Sequence, residues 1–170
     1  MQKTNSKGFT LIELLVVIAI IGLLSTLAVV ALNSARQKSR DSKRVADVKQ
    51  MQTALELYFA DKNGYPAAPT SSAAAPVGVL GVSGSNAVKL CDTGWIASAG
   101  TCNTTYMGLV PKAPTPGDNG CTVGTATTAG TNDYVYSSAS TSTYGIAFCL
   151  GAAVGDLGSG VRTASPNGIN

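Results

Sequence analysis

The sequence predicts an α+β chain in which one very long N-terminal α-helix packs on a small antiparallel β-sheet head. Three observations carry this expectation. An apolar run from Phe9 to Leu32 passes without a break into an amphipathic helical pattern that lasts to Lys62. Asn63-Gly64 and then Pro66 stop that pattern, because the first pair supplies a left-handed cap and proline cannot continue a helix. Beyond the stop, residues 132–138 and 143–150 alternate apolar with small or polar side chains on either side of a Ser/Thr-rich stretch and read as a β-hairpin.

Length and composition narrow the function. A chain of 170 residues holds one small domain plus one long element and is too short for two full-sized domains. Residues 1–62 carry nine Lys/Arg, five Asp/Glu and two Gly, whereas residues 63–170 carry three, four and 17. The net charge of +3 is therefore an N-terminal feature and makes no whole-protein case for nucleic-acid binding. Histidine is absent from the sequence, which closes off imidazole-ligated zinc, serine triads and Cys-His pairs. With no Walker loop, GxSxG, HExxH or paired-acid constellation either, the expectation is a protein that is not an enzyme and needs no cofactor.

The apolar run spans 24 residues, about 36 Å as a helix, enough to cross a hydrocarbon core of roughly 30 Å. A secretory signal would be shorter and would end at a small-residue cleavage site, but here the helical pattern continues. From Gln37 to Lys62 it places Val45, Val48, Met51, Leu55 and Tyr58 at spacings of three and four, so a single helix of about 54 residues, roughly 80 Å long, is expected. Glu13 stands inside the apolar segment, where an ionised side chain costs at least about 2.5 kcal/mol. Either its carboxylate snorkels to the interface or it has a specific cationic partner.

Lys7-Gly8-Phe9-Thr10-Leu11-Ile12-Glu13-Leu14-Leu15-Val16-Val17-Ile18 resembles the N-terminal signature of type IV pilins and their pseudopilin relatives. Tyr58 to Pro66, ending in Asn-Gly-Tyr-Pro, resembles the junction where the family's long helix enters its globular head. The resemblance covers about the first third of the chain and implies a pilin-like fold. It implies that a membrane-embedded prepilin peptidase cuts between Gly8 and Phe9 and methylates the new Phe9 amine. The lysines ahead of Gly8 would hold the leader in the cytoplasm, and a residue without a side chain suits the tight protease site. The resemblance also implies that Glu13 pairs with the Phe9 amine of a neighbouring subunit, and that the helix just after Gly22 melts on assembly. The family's usual proline eight residues beyond Gly22 is replaced here by Val30.

Arg36, Lys38, Arg40, Lys43 and Arg44, opposed by Asp41 alone, read as a solvated or subunit-pairing helix face, with a DNA-binding stripe as the sharper alternative. In the head, 67–84 reads as a loop or linker with at most one short strand, and a third strand is expected around 105–110. Val45, Val48, Met51, Leu55, Tyr58, Tyr134, Tyr136, Ile146 and Phe148 are the expected core. Four cysteines follow the membrane segment, in the part expected to be exported, where disulfides are the economical reading. Three pairings are open; Cys91 with Cys102, closing a short loop, and Cys121 with Cys149, fastening a loop to the last strand, are favoured. Asp118, Asn119, Gly120, Asp133 and Asp156 are weak calcium candidates that turn chemistry explains without metal, and Asn103-Thr104-Thr105 matches a glycosylation sequon.

The expected organisation is a leader peptide (1–8), an apolar transmembrane and filament-core half-helix (9–32), an amphipathic half-helix (33–62) and a globular β head (63–170). The expected function is structural: the major pilin of a homo-oligomeric helical type IV pilus, membrane-inserted as a single-pass precursor and then displayed on the cell surface. Its expected partners are further copies of itself, the prepilin peptidase and the inner-membrane assembly machinery. A minor pilin or type II secretion or competence pseudopilin is the alternative within the family, and a membrane-anchored surface binding module is the alternative outside it.

Overall fold

The computed structural model describes residues 8–69, 77–82, 85–117, 121, 123 and 132–170. Two compact units divide the chain, Met1–Arg36 and Gln37–Asn170, and one helix, α1 (Leu11–Lys62), contributes to both. In the first unit every residue from Leu11 to Leu32 is exposed. The most apolar stretch has a mean hydropathy of 2.9, so α1 is long and apolar enough to cross a membrane. A helix that is apolar on all sides needs lipid or other helices to cover it.

In the second unit α1 buries one stripe. Asp41, Arg44, Val48, Met51, Leu55 and Tyr58 follow one another at intervals of three and four, and all are buried, with Asp47 and Ala54 beside them. The helix ends at Asn63, whose φ of 56° is the left-handed cap that the Asn-Gly pair predicts. Its N–H donates to Phe59 O at 2.8 Å, and the next backbone donor but one, Tyr65 N–H, bonds Thr141 O at 2.7 Å. The chain is thereby turned off the helix and tied to the tip of a hairpin.

The head is two antiparallel sheets rather than one. The larger has the order β1 (Val77–Leu80), β5 (Tyr134–Ser140), β6 (Thr143–Leu150), β7 (Gly160–Ser165), β8 (Gly168–Ile169). The smaller has β3 (Gly94–Ile96), β2 (Lys89–Cys91) and β4 (Thr105–Met107). The hairpin is β5–β6, with Tyr136 opposite Ile146 and a register shift between Ser137 and Ser140. Residues 67–84 contain the short strand β1, which joins the edge of this hairpin. The strand expected around 105–110 is shorter, β4, and it belongs to the second sheet. Cys149 does not lie on the last strand: β6 is central, because β7 pairs along its other side from Ile146↔Ala164 to Leu150↔Gly160.

Alternation along β6 puts Tyr144, Ile146 and Phe148 into the core, joined by Leu150 at its end. Burying a side chain such as Phe148 or Ile146 contributes about 1.5–3 kcal/mol. Eight of the nine expected core residues are buried, while Val45 is half-buried at its margin. Tyr65, Leu80, Leu90, Trp95, Val110, Tyr144 and Leu150 join them, with several buried alanines. Phe59, Tyr65, Tyr144, Tyr136 and Trp95 form a run of ring contacts with centroids 4.6–6.0 Å apart. Such contacts add to area burial and account for a stable core in a chain with few aromatics. Tyr136 is fully buried and satisfies its hydroxyl by donating to Pro66 O at 2.8 Å.

Candidate functional site

The polar chemistry of the first unit gathers at the start of α1. Thr10 precedes the first helical residue and is its N-cap. Its N–H donates to Glu13 Oε2 at 2.9 Å and its hydroxyl to the same oxygen at 2.6 Å, and Glu13 N–H donates back to Thr10 Oγ1 at 3.3 Å. This is a capping box, in which two otherwise orphan helix donors and a carboxylate satisfy one another. Glu13 therefore has a partner within its own chain. The charge sits against the positive end of the helix dipole, where an anion is favoured. The sequence signal for Thr10 is the T-x-x-E spacing immediately ahead of an apolar run.

Phe9 stands directly ahead of this cap, 81% exposed, and Gly8 is exposed beside it. Phe9, Ile12, Val16 and Val17 line, with the exposed Glu13, one shallow surface groove. Residues 1–7 of the expected leader lie outside the described residues. Gly22 lies within unbroken helix, with open space where a side chain would point. The two polar residues after it turn inward on the helix: Ser25 Oγ donates to Ile21 O at 2.7 Å and Thr26 Oγ1 to Leu23 O at 2.8 Å.

The basic run after the apolar segment is not one exposed face. Arg36, Lys38 and Lys43 are exposed, Arg40 is half-buried, and Arg44 is fully buried. Arg44 donates to Asp41 Oδ1 and, at 3.3 Å, to Pro114 O. Asp41, also fully buried, accepts the backbone N–H groups of Gly151 at 3.1 Å and Ala152 at 2.8 Å. Burial without this web would be prohibitive for either charge. Asp47 continues the polar line and accepts the Tyr134 hydroxyl at 2.9 Å. Burial pushes the Asp47 carboxyl above its usual range, while Tyr134 and Lys43 pull the other way. Tyr134 is raised in turn by its own burial and by Asp47. These residues hold the head on α1 and leave Arg36, Lys38 and Lys43 as the exposed cations of the run.

Cys91 is joined to Cys102 and Cys121 to Cys149, with Cα–Cα distances of 5.5 and 5.9 Å. Asp92 closes the first loop by accepting Asn103 N–H at 3.2 Å and Thr104 N–H at 3.3 Å, bonds that hold its carboxyl below the usual range. Cys121 and Cys149 pack with Val123 and Val135 in a small satellite core. Asn103 of the sequon is exposed, with its amide turned to Asp92. Of the calcium candidates, Asp118, Asn119 and Gly120 lie outside the described residues. Among the described residues no cluster of three His, Cys, Asp or Glu is placed to hold a metal.

Comparison with known proteins bears on the N-terminal third. A family model described as the Prokaryotic N-terminal methylation motif matches residues 3–29. The chain is 42% identical over 66 residues to the type II secretion system core protein G of Aeromonas hydrophila, covering 39% of this chain and 46% of that one. It is 41% identical over 62 residues to the type II secretion system core protein G of Pectobacterium carotovorum subsp. carotovorum, covering 36% and 40%. It is also 36% identical over 61 residues to the type IV major pilin protein PilA of Myxococcus xanthus, covering 36% and 28%. The chain thus spans less than half the length of these curated relatives. No solved structure matches it. The methylation motif and the apolar helix behind it make the precursor a membrane-anchored one. The capped acidic helix start and the apolar helix behind it carry the N-terminal methylation motif, and over this third the chain is similar to relatives named for type II secretion and for a type IV pilus.

Proposed function

We propose that this chain is the major subunit of a type IV pilus, assembled from the membrane by packing its apolar helix against copies of itself. The observation that carries the reading is the exposure of every residue from Leu11 to Leu32. Such a surface is stable in lipid and equally in a bundle of like helices, so the same segment serves as anchor before assembly and as filament core afterwards. In this reading a prepilin peptidase removes residues 1–8 and methylates the Phe9 amine. Glu13 then exchanges part of its Thr10 bonding for the Phe9 amine of a neighbour, a charge-assisted contact that sets register. Inner-membrane assembly machinery drives growth, the helix after Gly22 loosens to adapt to its packing, and the head faces outward at the cell surface.

A second reading, a pseudopilin of a type II secretion system, is supported by the names of the relatives that match residues at this end. Electron microscopy of sheared filaments, with intact-mass measurement of the subunit, tests both. Abundant long surface filaments built of a chain starting at a methylated Phe9 support the major-pilin reading. Short, scarce filaments whose loss stops protein export support the pseudopilin. A surface protein that keeps residues 1–8, or is cut beyond Leu32, overturns both.

A further inference from the structure

An asparagine followed by glycine is prone to lose its side-chain amide, because a residue without a side chain lets its backbone nitrogen swing onto the preceding amide carbon. The described residues hold two such pairs, Asn63-Gly64 and Asn167-Gly168, and the fold treats them in opposite ways; a third, Asn119-Gly120, lies outside the described residues. Asn63 is the left-handed cap of α1, with its N–H on Phe59 O at 2.8 Å. Gly64 is buried at the hairpin tip, where an added Cβ would lie 3.1 Å from Thr141 Cβ, and the following Tyr65 N–H is fixed to Thr141 O at 2.7 Å. Ring closure there would break both the helix cap and the tie to the hairpin. Asn167 instead stands in the two-residue turn between β7 and β8, exposed together with Pro166. Gly168 has a φ of 125° and open space where a side chain would point. Moving its nitrogen displaces at most β8, a strand of two residues.

We propose that Asn167 is a site of spontaneous covalent modification, turning into aspartate and isoaspartate, while the fold protects Asn63 from the same reaction. The Gly168 nitrogen attacks Cγ of Asn167. The Gly168 N–Cγ bond forms, the Cγ–Nδ2 bond breaks, and the amide leaves as ammonia with the proton that the Gly168 nitrogen gives up. Water then opens the cyclic imide at either carbonyl. Opening at Cγ leaves aspartate, and opening at the main-chain carbonyl leaves isoaspartate, which carries one extra backbone atom. No other reactant is needed. Either product adds a negative charge to the groove that Asn167 lines with Lys49 and Glu56. The isoaspartate also lengthens the turn. It thereby upsets the pairing of Ser165 with Gly168 and of Ala164 with Ile169, together with the two bonds between Thr163 and Asn170 at 3.0 and 3.1 Å. Loss of these bonds frees β8 and leaves β7 as the edge of the larger sheet. The site stands on the head alone and needs neither the pilus nor the secretion reading.

Ageing of the full-length chain at mildly alkaline pH tests it, with samples digested by trypsin under mildly acidic conditions. Cleavage after Lys62 and Arg162 puts Asn63 and Asn167 on separate peptides. Mass gain, fragment-ion sequencing and isoaspartyl methyltransferase labelling then read each site and separate Asn167 from Asn170. In the folded chain Asn167 is expected to convert at least about tenfold faster than Asn63, and after denaturation and reduction the two rates should come within about threefold of each other. Amide hydrogen exchange at Ile169 and Asn170 should quicken in the isoaspartate-containing protein but not in Asn167→Asp, which gains the charge without the added backbone atom. Equal rates at the two sites in the folded chain, or an Asn167 that reacts only after denaturation, overturns the proposal. A tenfold preference that persists in the denatured chain overturns the protection of Asn63 by the fold, and unchanged exchange in the isoaspartate form overturns the release of β8.

Discussion

Asp41 and Arg44 lie three residues apart on α1, both fully buried, and the carboxylate of one accepts from the guanidinium of the other. Around them the head closes through Gly151, Ala152 and Pro114, so the two charges form a polar pin between helix and head. Asp41 takes most of the strain of removal, because its loss frees two backbone donors and removes one carboxylate from a buried guanidinium. Asp41→Ala is expected to cost about 3–5 kcal/mol, and Asp41→Asn less, since it keeps an oxygen acceptor. Denaturant unfolding of fragment 37–170 measures this; a loss under about 1 kcal/mol in Asp41→Ala would show that the pin contributes specificity without stability.

Asp47 gives the opposite sign. Its carboxyl is raised above the ordinary 3.8, chiefly by burial. A group whose folded-state value lies above its unfolded value favours folding below the unfolded value and loses that contribution as pH climbs through the folded one. Asp47→Asn keeps an acceptor for the Tyr134 hydroxyl and removes the titration. Relative to wild type, the variant should therefore gain stability as pH rises from below the ordinary carboxylate value through the raised folded-state one. Unfolding free energies of both proteins across this range decide it, and parallel curves would count against a raised Asp47.

How far these features were legible in the sequence depends on length of pattern. The apolar run and the Asn63-Gly64 stop define α1 because helical periodicity repeats over many turns. The β5–β6 hairpin was readable because Thr143 to Leu150 alternates for eight residues. Strands such as Lys89–Cys91 and Gly94–Ile96 have three residues each, too few for alternation to register, so the second sheet was not foreseen. Gly160–Ser165 was hidden for another reason: its outward residues Val161 and Thr163 are no more polar than its inward ones, which removes the contrast. The polar pin carries a signal that charge obscured. Asp41 and Arg44 extend the three-and-four spacing of Val48, Met51, Leu55 and Tyr58, and position on the stripe outweighs polarity once Gly151 and Ala152 supply partners.

The disulfides differ in what they constrain. Cys121–Cys149 closes a separation of 28 residues onto a central strand, and Cys91–Cys102 closes 11. In the chain-entropy account the longer closure contributes about 0.8 kcal/mol more. Cys121→Ser with Cys149→Ser is expected to cost about 2–5 kcal/mol, and the other pair somewhat less. Thermal unfolding before and after reduction, with thiol counting on the folded protein, is the measurement. Four reactive thiols in a folded head, or a melting point indifferent to reduction, would remove both bonds from the account.

The last prediction separates the two partners of Glu13. In the isolated chain its carboxylate is held by Thr10 through the backbone N–H and the hydroxyl. In the proposed filament it also meets the Phe9 amine of a neighbour. Glu13→Gln keeps an oxygen that can accept from Thr10 and so should preserve the helix cap, membrane insertion and cleavage at Gly8. It removes the charge the neighbouring amine would pair with, and its lower cost in a bilayer should even favour membrane residence. Filaments are expected to be lost or slow to grow. Thr10→Ala does the reverse: the carboxylate keeps its charge but loses the hydroxyl contact, at a cap cost of about 0.5–2 kcal/mol. Assembly should then be reduced rather than abolished, and Thr10→Ser, which restores the hydroxyl, should recover it. Filament yield, with intact mass confirming processing, reads all three variants. If Glu13→Gln assembles at wild-type yield, the charge has no intermolecular partner and the capping box is its whole role.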